Sequence, residues 1–141
     1  MASIWRCPKC GRRFEKTGQS HSCSVVPVEA HFKGKDKAAV ALYSELKEKI
    51  KKGVGRFKVD SIPCCIHFVS TSTFAAVRIL KKKIRVTFTL DLEIESPRIY
   101  KSTRYSSGRF LHAVDIESRS QIDKELLGWI SQAYRIRKGN Q

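Results

Sequence analysis

From Ile84 to Asp91 the chain alternates without a break. Ile84, Val86, Phe88 and Leu90 fall on one side, and Arg85, Thr87, Thr89 and Asp91 on the other. A period of two is the mark of a β-strand with one apolar and one wet face. One such strand is not stable alone; its apolar side needs neighbours in a sheet and a layer laid over it. The rest of the chain supplies both. Arg109–Glu117 alternates again, with Phe110, His112, Val114 and Ile116 on one face, and "CIHFVST" and "FAAVRIL" are two further β-rich runs joined around Thr71–Thr73. Ser96-Pro97 marks a turn or a sheet edge.

On either side of these strands the period changes. Between Asp36 and Lys52, the residues Ala39, Tyr43, Leu46 and Ile50 share a helical face, Lys47, Glu48, Lys51 and Lys52 lie largely opposite, and Gly53 and Gly55 provide a stop. Asp36 suits the positive end of that helix dipole. A second helix is expected from about Gln121 to Arg137, with Ile122, Leu126, Ile130, Ala133 and Tyr134 on one face and a capping box from Ser120 to Asp123. Helix, four or five strands, helix is an α+β class: a mostly antiparallel sheet with helices over one face. With 141 residues there is room for one such domain and a small appendage. The boundaries read as 1–24 for a cysteine/histidine segment, 25–35 for a connector broken by Pro27 and Gly34, and 36–138 for the α+β domain.

The appendage, "RCPKCGRRFEKTGQSHSC", pairs Cys7 with Cys10 and, after ten intervening residues, His21 with Cys23. Three thiolates and an imidazole close a tetrahedral zinc site and leave no position for water, so the metal is structural rather than catalytic. His31 is an alternative to His21 as the fourth ligand. The interval "GRRFEKTGQS" has a glycine in its second half and no helical apolar stripe, so it lays no reading helix in a DNA groove. Arg12, Arg13 and Lys16 remain available to phosphates. Clustered cysteines fit a reducing compartment, and "MASIWRCPKC" lacks the apolar run of a signal peptide. No stretch is long and apolar enough for a bilayer. The expectation is a cytoplasmic protein with no membrane association.

"CPKCGRRF" with "SHSC", then "HFKGK" opening a helix, then "FAAVR", "SPR" and a terminal helix carrying "AY", resembles an uncharacterised prokaryotic family, domain-of-unknown-function family 5655. The resemblance runs from Cys7 to Tyr134. It implies a short segment with Cys7, Cys10, His21 and Cys23 coupled to a compact α+β domain, and it transfers no activity and no catalytic residue.

A net charge of +15, spread along the chain rather than held in one arm, favours polyanions. Its densest cluster is Lys81, Lys82 and Lys83, a solvated turn between strands or a set of phosphate contacts. His112, between Phe110 and Val114, reads as a hydrogen-bonded core residue. The functional alternative gathers it with Arg98 and Arg104 around a phosphate or carboxylate. Cys64 and Cys65 read as packing residues with redox sensitivity as a lesser alternative, because adjacent cysteines on a strand face opposite ways and rarely chelate one ion. Asp91, Glu93 and Glu95 would share one strand face as a charged edge. No Gly-x-Ser-x-Gly, phosphate-cradling glycine loop or His-Glu-x-x-His is present. The function expected is a non-enzymatic, zinc-containing binding module with nucleic acid as its first candidate partner. Set against it are a small anionic-ligand or enzymatic domain with a basic pocket, and a protein-interaction adaptor.

Overall fold

Six antiparallel strands form one sheet: β3 (Lys58–Ile62), β4 (Cys65–Val69), β5 (Thr73–Ile79), β6 (Ile84–Leu90), β7 (Ile99–Ser106) and β8 (Arg109–Ile116), in the spatial order β3-β4-β5-β6-β8-β7. The computed structural model describes residues 5–8, 13–14, 17–18, 26–106 and 108–139. Two helices, α1 (Lys37–Gly53) and α2 (Lys124–Gly139), lie over β5 and β6 and touch each other. The α+β class and the antiparallel sheet are as expected, but the sheet has six strands rather than four or five. The two strands not anticipated, β3 and β7, are its edges. "KVDSI" and "IYKSTRYS" bury too little to carry an unbroken apolar alternation, since an edge has a neighbour on one side only.

The alternation of β6 does what its period demands. Ile84, Val86, Phe88 and Leu90 are all buried, and in register with them stand Ile79, Val77 and Ala75 of β5 and Ile116, Val114 and His112 of β8. Onto this surface α1 lays Ala39, Leu42, Tyr43, Leu46 and Ile50, and α2 lays Leu126, Trp129, Ile130, Ala133 and Tyr134. Each fully buried side chain of this size contributes about 1.5–3 kcal/mol relative to exposure. The helices are also tied at their ends. The Asp36 amide donates to the Lys81 carbonyl at 2.8 Å, pinning the start of α1 to the β5–β6 turn. At its far end Gly55 leaves room for Tyr134, whose hydroxyl a Cβ would meet at 2.7 Å and which donates to the Arg56 carbonyl at 2.9 Å.

Residues 26–35, the described part of the segment 25–35 read as a connector, contain a 3-10 turn, Val28–Phe32, and are held to the domain. The Val26 amide donates to the Ser61 carbonyl at 3.1 Å, and the Phe32 ring meets that of Tyr43 at 6.0 Å. Capping of α2 differs from expectation. Asp123 is itself the cap, accepting from the Leu126 amide at 3.0 Å, and the residue that folds back is Gln121, which accepts from Ser118 at 3.2 Å. A 3-10 turn, Arg119–Gln121, takes up the residues assigned to the first turn of the helix. Asp91, Glu93 and Glu95 are not on a strand: β6 ends at Leu90 and the chain must leave the sheet there to reach the far edge.

Phe88 is 1% exposed and lies between His112 at 5.5 Å and Trp129 at 5.9 Å, ring centre to ring centre. Phe88→Ala opens a cavity where sheet, helix and histidine meet, and should cost about 3–5 kcal/mol in urea unfolding.

Candidate functional site

Because both helices cover one side, the other side of the sheet is available. No described helix lies on it. Side chains cross it in rows set by the strand register. One row is complete from edge to edge: Asp60, His67, Ala76, Thr87, Ala113 and Lys101. Beside it run Arg78, Arg85 and Asp115 on one flank and Thr89, Leu111 and Thr103 on the other. The small central residues leave a shallow depression of about 190 Å³ whose lining includes His67, Thr73, Ala76, Thr87 and Leu111. On the flank of Arg78, Arg85 and Asp115, Tyr100 is 61% exposed, and the Arg85 guanidinium sits over one side of its ring, 4.2 Å from the centre.

The charges on this face divide into paired and unpaired. Arg85 grips Asp115 with two hydrogen bonds of 2.7 and 3.1 Å, and Lys83 reaches the same carboxylate at 3.0 Å. The Arg85 fork holds the Asp115 carboxyl below the usual carboxylate range; partial burial opposes this and Lys83 adds to it. Arg78 and Lys101, both exposed, make no ion pair among the described residues. Lys81 and Lys82 extend the cationic strip at the exposed β5–β6 turn.

At the other margin Cys64, Cys65 and His67 bring their ligand atoms within 4.8 Å of one another. This corrects the reading of the two cysteines as packing residues: Cys64 is exposed and Cys65 only half-buried. The objection that neighbours on a strand diverge does not apply, because only Cys65 belongs to β4. Ile62 pairs with Cys65, so Pro63 and Cys64 form the turn, and Cys64 escapes the strand alternation. The sulfurs lie 2.8 Å apart and His67 Nε2 is 3.2 Å from Cys65 Sγ. Burial, then the hydrogen bond and charge of Cys64, push the Cys65 thiol up to about 12, against the pull of Arg78. Without a cation Cys65 is therefore a protonated thiol at neutral pH and no ready nucleophile.

Of the N-terminal zinc ligands expected, Cys7 is among the described residues: it is 4% exposed and follows β1 (Trp5–Arg6), which pairs antiparallel with β2 (Arg13–Phe14). Cys10, His21 and Cys23 lie outside the described residues, as do Arg12 and Lys16, and the side chain of Arg13. His31 Nε2 lies 3.0 Å from the Ser61 hydroxyl, on the α+β domain.

The grouping of Arg98, Arg104 and His112 around an anion is not what the structure presents. Arg98 is bound to Asp123 and Glu125 at 2.9 Å each and to the Gln121 carbonyl at 2.7 Å, so its donors are taken by the start of α2. Arg104 is exposed on the edge strand. His112 has no exposed surface, stacks on Phe88 and accepts the Ile94 amide at Nε2, 2.9 Å away. That bond assigns the proton of the neutral ring to Nδ1.

Burial lowers the His112 pKa from 6.5, outweighing the Phe110 carbonyl and the Glu93 carboxylate that favour the cation. Below pH 6.5 the unfolded chain takes up a proton here that the folded chain resists, so stability falls as the pH drops from that value towards the folded pKa. His112→Gln keeps an acceptor for Ile94 and removes the titration. Urea midpoints measured between about pH 7 and pH 5 should decline for the wild type and run flatter for the variant.

His67, Arg78, Tyr100 and Lys101 were not singled out by the sequence. The available signal was the polar half of each alternating strand, which reads as solvent-facing until the strand order places those halves side by side. Comparison with curated proteins and with solved structures finds no match. A family model described as "Domain of unknown function (DUF5655)" matches residues 28–137, which takes in the sheet, both helices and the Cys64–His67 cluster and leaves the Cys7–Cys23 segment outside. The chain belongs to this family.

Proposed function

We propose that this protein is a zinc-stapled module that binds single-stranded nucleic acid across the uncovered face of its sheet. The observation that carries the reading is Tyr100, an aromatic ring 61% exposed on the sheet face that also holds a trough of small side chains and the unpaired Arg78 and Lys101. Arg85 holds one side of that ring, so a base stacks on the other. Arg78 and Lys101 stand where the phosphates of a strand crossing the trough would pass, and Lys81 and Lys82 prolong the track. A net charge of +15 supplies the long-range attraction. In the N-terminal segment, zinc on Cys7, Cys10, His21 and Cys23 would hold the β1–β2 hairpin, and Arg12, Arg13 and Lys16 would add phosphate contacts. Support for this staple comes from Cys7 being buried at the end of a strand whose partner lies just beyond Cys10.

Fluorescence anisotropy with labelled oligo-dT and oligo-U tests the reading. Affinity should fall with salt along a log–log slope of about −0.7 per phosphate contacted. Tyr100→Ala should weaken binding by about 1–3 kcal/mol. Absence of binding to both oligonucleotides at low salt ends the proposal. The staple is tested by metal analysis: Cys7→Ser should lower the zinc content by about one ion per chain while thermal unfolding of the α+β domain is unchanged.

A further inference from the structure

We infer that Cys64, Cys65 and His67 form a second metal site, for a thiophilic ion of the zinc(II) or copper(I) kind, with a coordination position open to the sheet face. Two sulfurs and an imidazole are the donor set that selects such ions over magnesium or calcium. Three protein ligands leave a tetrahedral ion one position short, unlike the filled set proposed for the N-terminal segment.

The local fold makes the arrangement. A two-residue turn places Cys64 at the hairpin tip, and the strand period returns His67 to the same side as Cys65. Thr73 Oγ1 lies 3.4 Å from His67 Nδ1 and so leaves Nε2, the nitrogen nearest Cys65, for the ion. Zinc–sulfur bonds of about 2.3 Å in a tetrahedron separate two sulfurs by about 3.8 Å. The sulfurs here are 2.8 Å apart, so ligation requires them to spread, and the exposed Cys64 side chain is free to swing outward. As the ion enters, each ligating thiol gives its proton to solvent. His67 and Thr73 also line the 190 Å³ depression, so a water or small ligand on the open position would sit in it.

The test uses the full-length protein, kept reduced with a phosphine and titrated separately with zinc(II) and copper(I) against a competing chelator. The wild type is compared with Cys64→Ser/Cys65→Ser, and the same pair is made in the Cys7→Ser background. The double substitution should remove about one bound ion in both backgrounds, a difference that stands whether or not the N-terminal segment holds zinc. Cys64 is exposed and Cys65 half-buried, so circular dichroism should show the serine variant folded. Thr73→Val should weaken the ion lost in that variant by about 10–100-fold. Equal uptake and equal affinity for both ions in the wild type and the double variant would overturn the inference.

Discussion

One hydrogen bond secures the crossover on which the arrangement of the sheet depends: the Ile94 amide to His112 Nε2, 2.9 Å. The chain leaves β6 at Leu90 and must pass over β8 to begin β7 at the far edge, so that β8 can later fill the gap between them. A backbone segment crossing the end of a sheet carries amides that the ladder does not satisfy, and a buried orphan amide costs about 1–3 kcal/mol. His112 takes one of them. Its neutral ring is held by Phe88 on one side and by burial all round. Arg98 secures the other end of the same crossing to the carboxylates at the start of α2. Two residues that read as a possible anion pocket are thus the fasteners of a crossover.

The crossover has a consequence for the two faces of the sheet. Both helices and the crossing chain lie over one face, and among the described residues no helix lies over the other. Its apolar content is kept small by Ala76, Thr87 and Ala113, and its charges are partly neutralised by the Arg85–Asp115 pair. The groups exposed on it include the Tyr100 ring, the unpaired Arg78 and Lys101, and a thiol–imidazole cluster whose His67 lines the trough. The proposed nucleic-acid surface and the proposed second metal site therefore share a face, the one that neither helix covers.

Much of the core was legible in sequence. Ala39, Tyr43, Leu46 and Ile50 on α1, and Ile122, Leu126, Ile130, Ala133 and Tyr134 at the carboxyl end, are buried as their spacing predicts. Ile84 to Leu90 behaves as its alternation requires. The edge strands were not legible, because residues such as Lys101, Ser102 and Thr103 have the composition of a loop until β8 supplies their partners. Asp91, Glu93 and Glu95 misled for the reverse reason: alternation continued past the point where the sheet ended. Cys64 and Cys65 looked incompatible because the exact residue at which the turn gives way to the strand decides whether neighbouring sulfurs diverge.

The sequence by itself determined the class of fold, the buried side of each long element and the strong positive charge of the whole chain. These follow from period and charge, which are properties of residues close together along the chain. Only the tertiary structure decided that His112 ties down a crossover, that Arg98 is spent on α2, and that His67, Arg78, Tyr100 and Lys101 stand on one surface. Such neighbours come from strands far apart in sequence, and strand order and register are set by the packing of the entire core rather than by any local stretch.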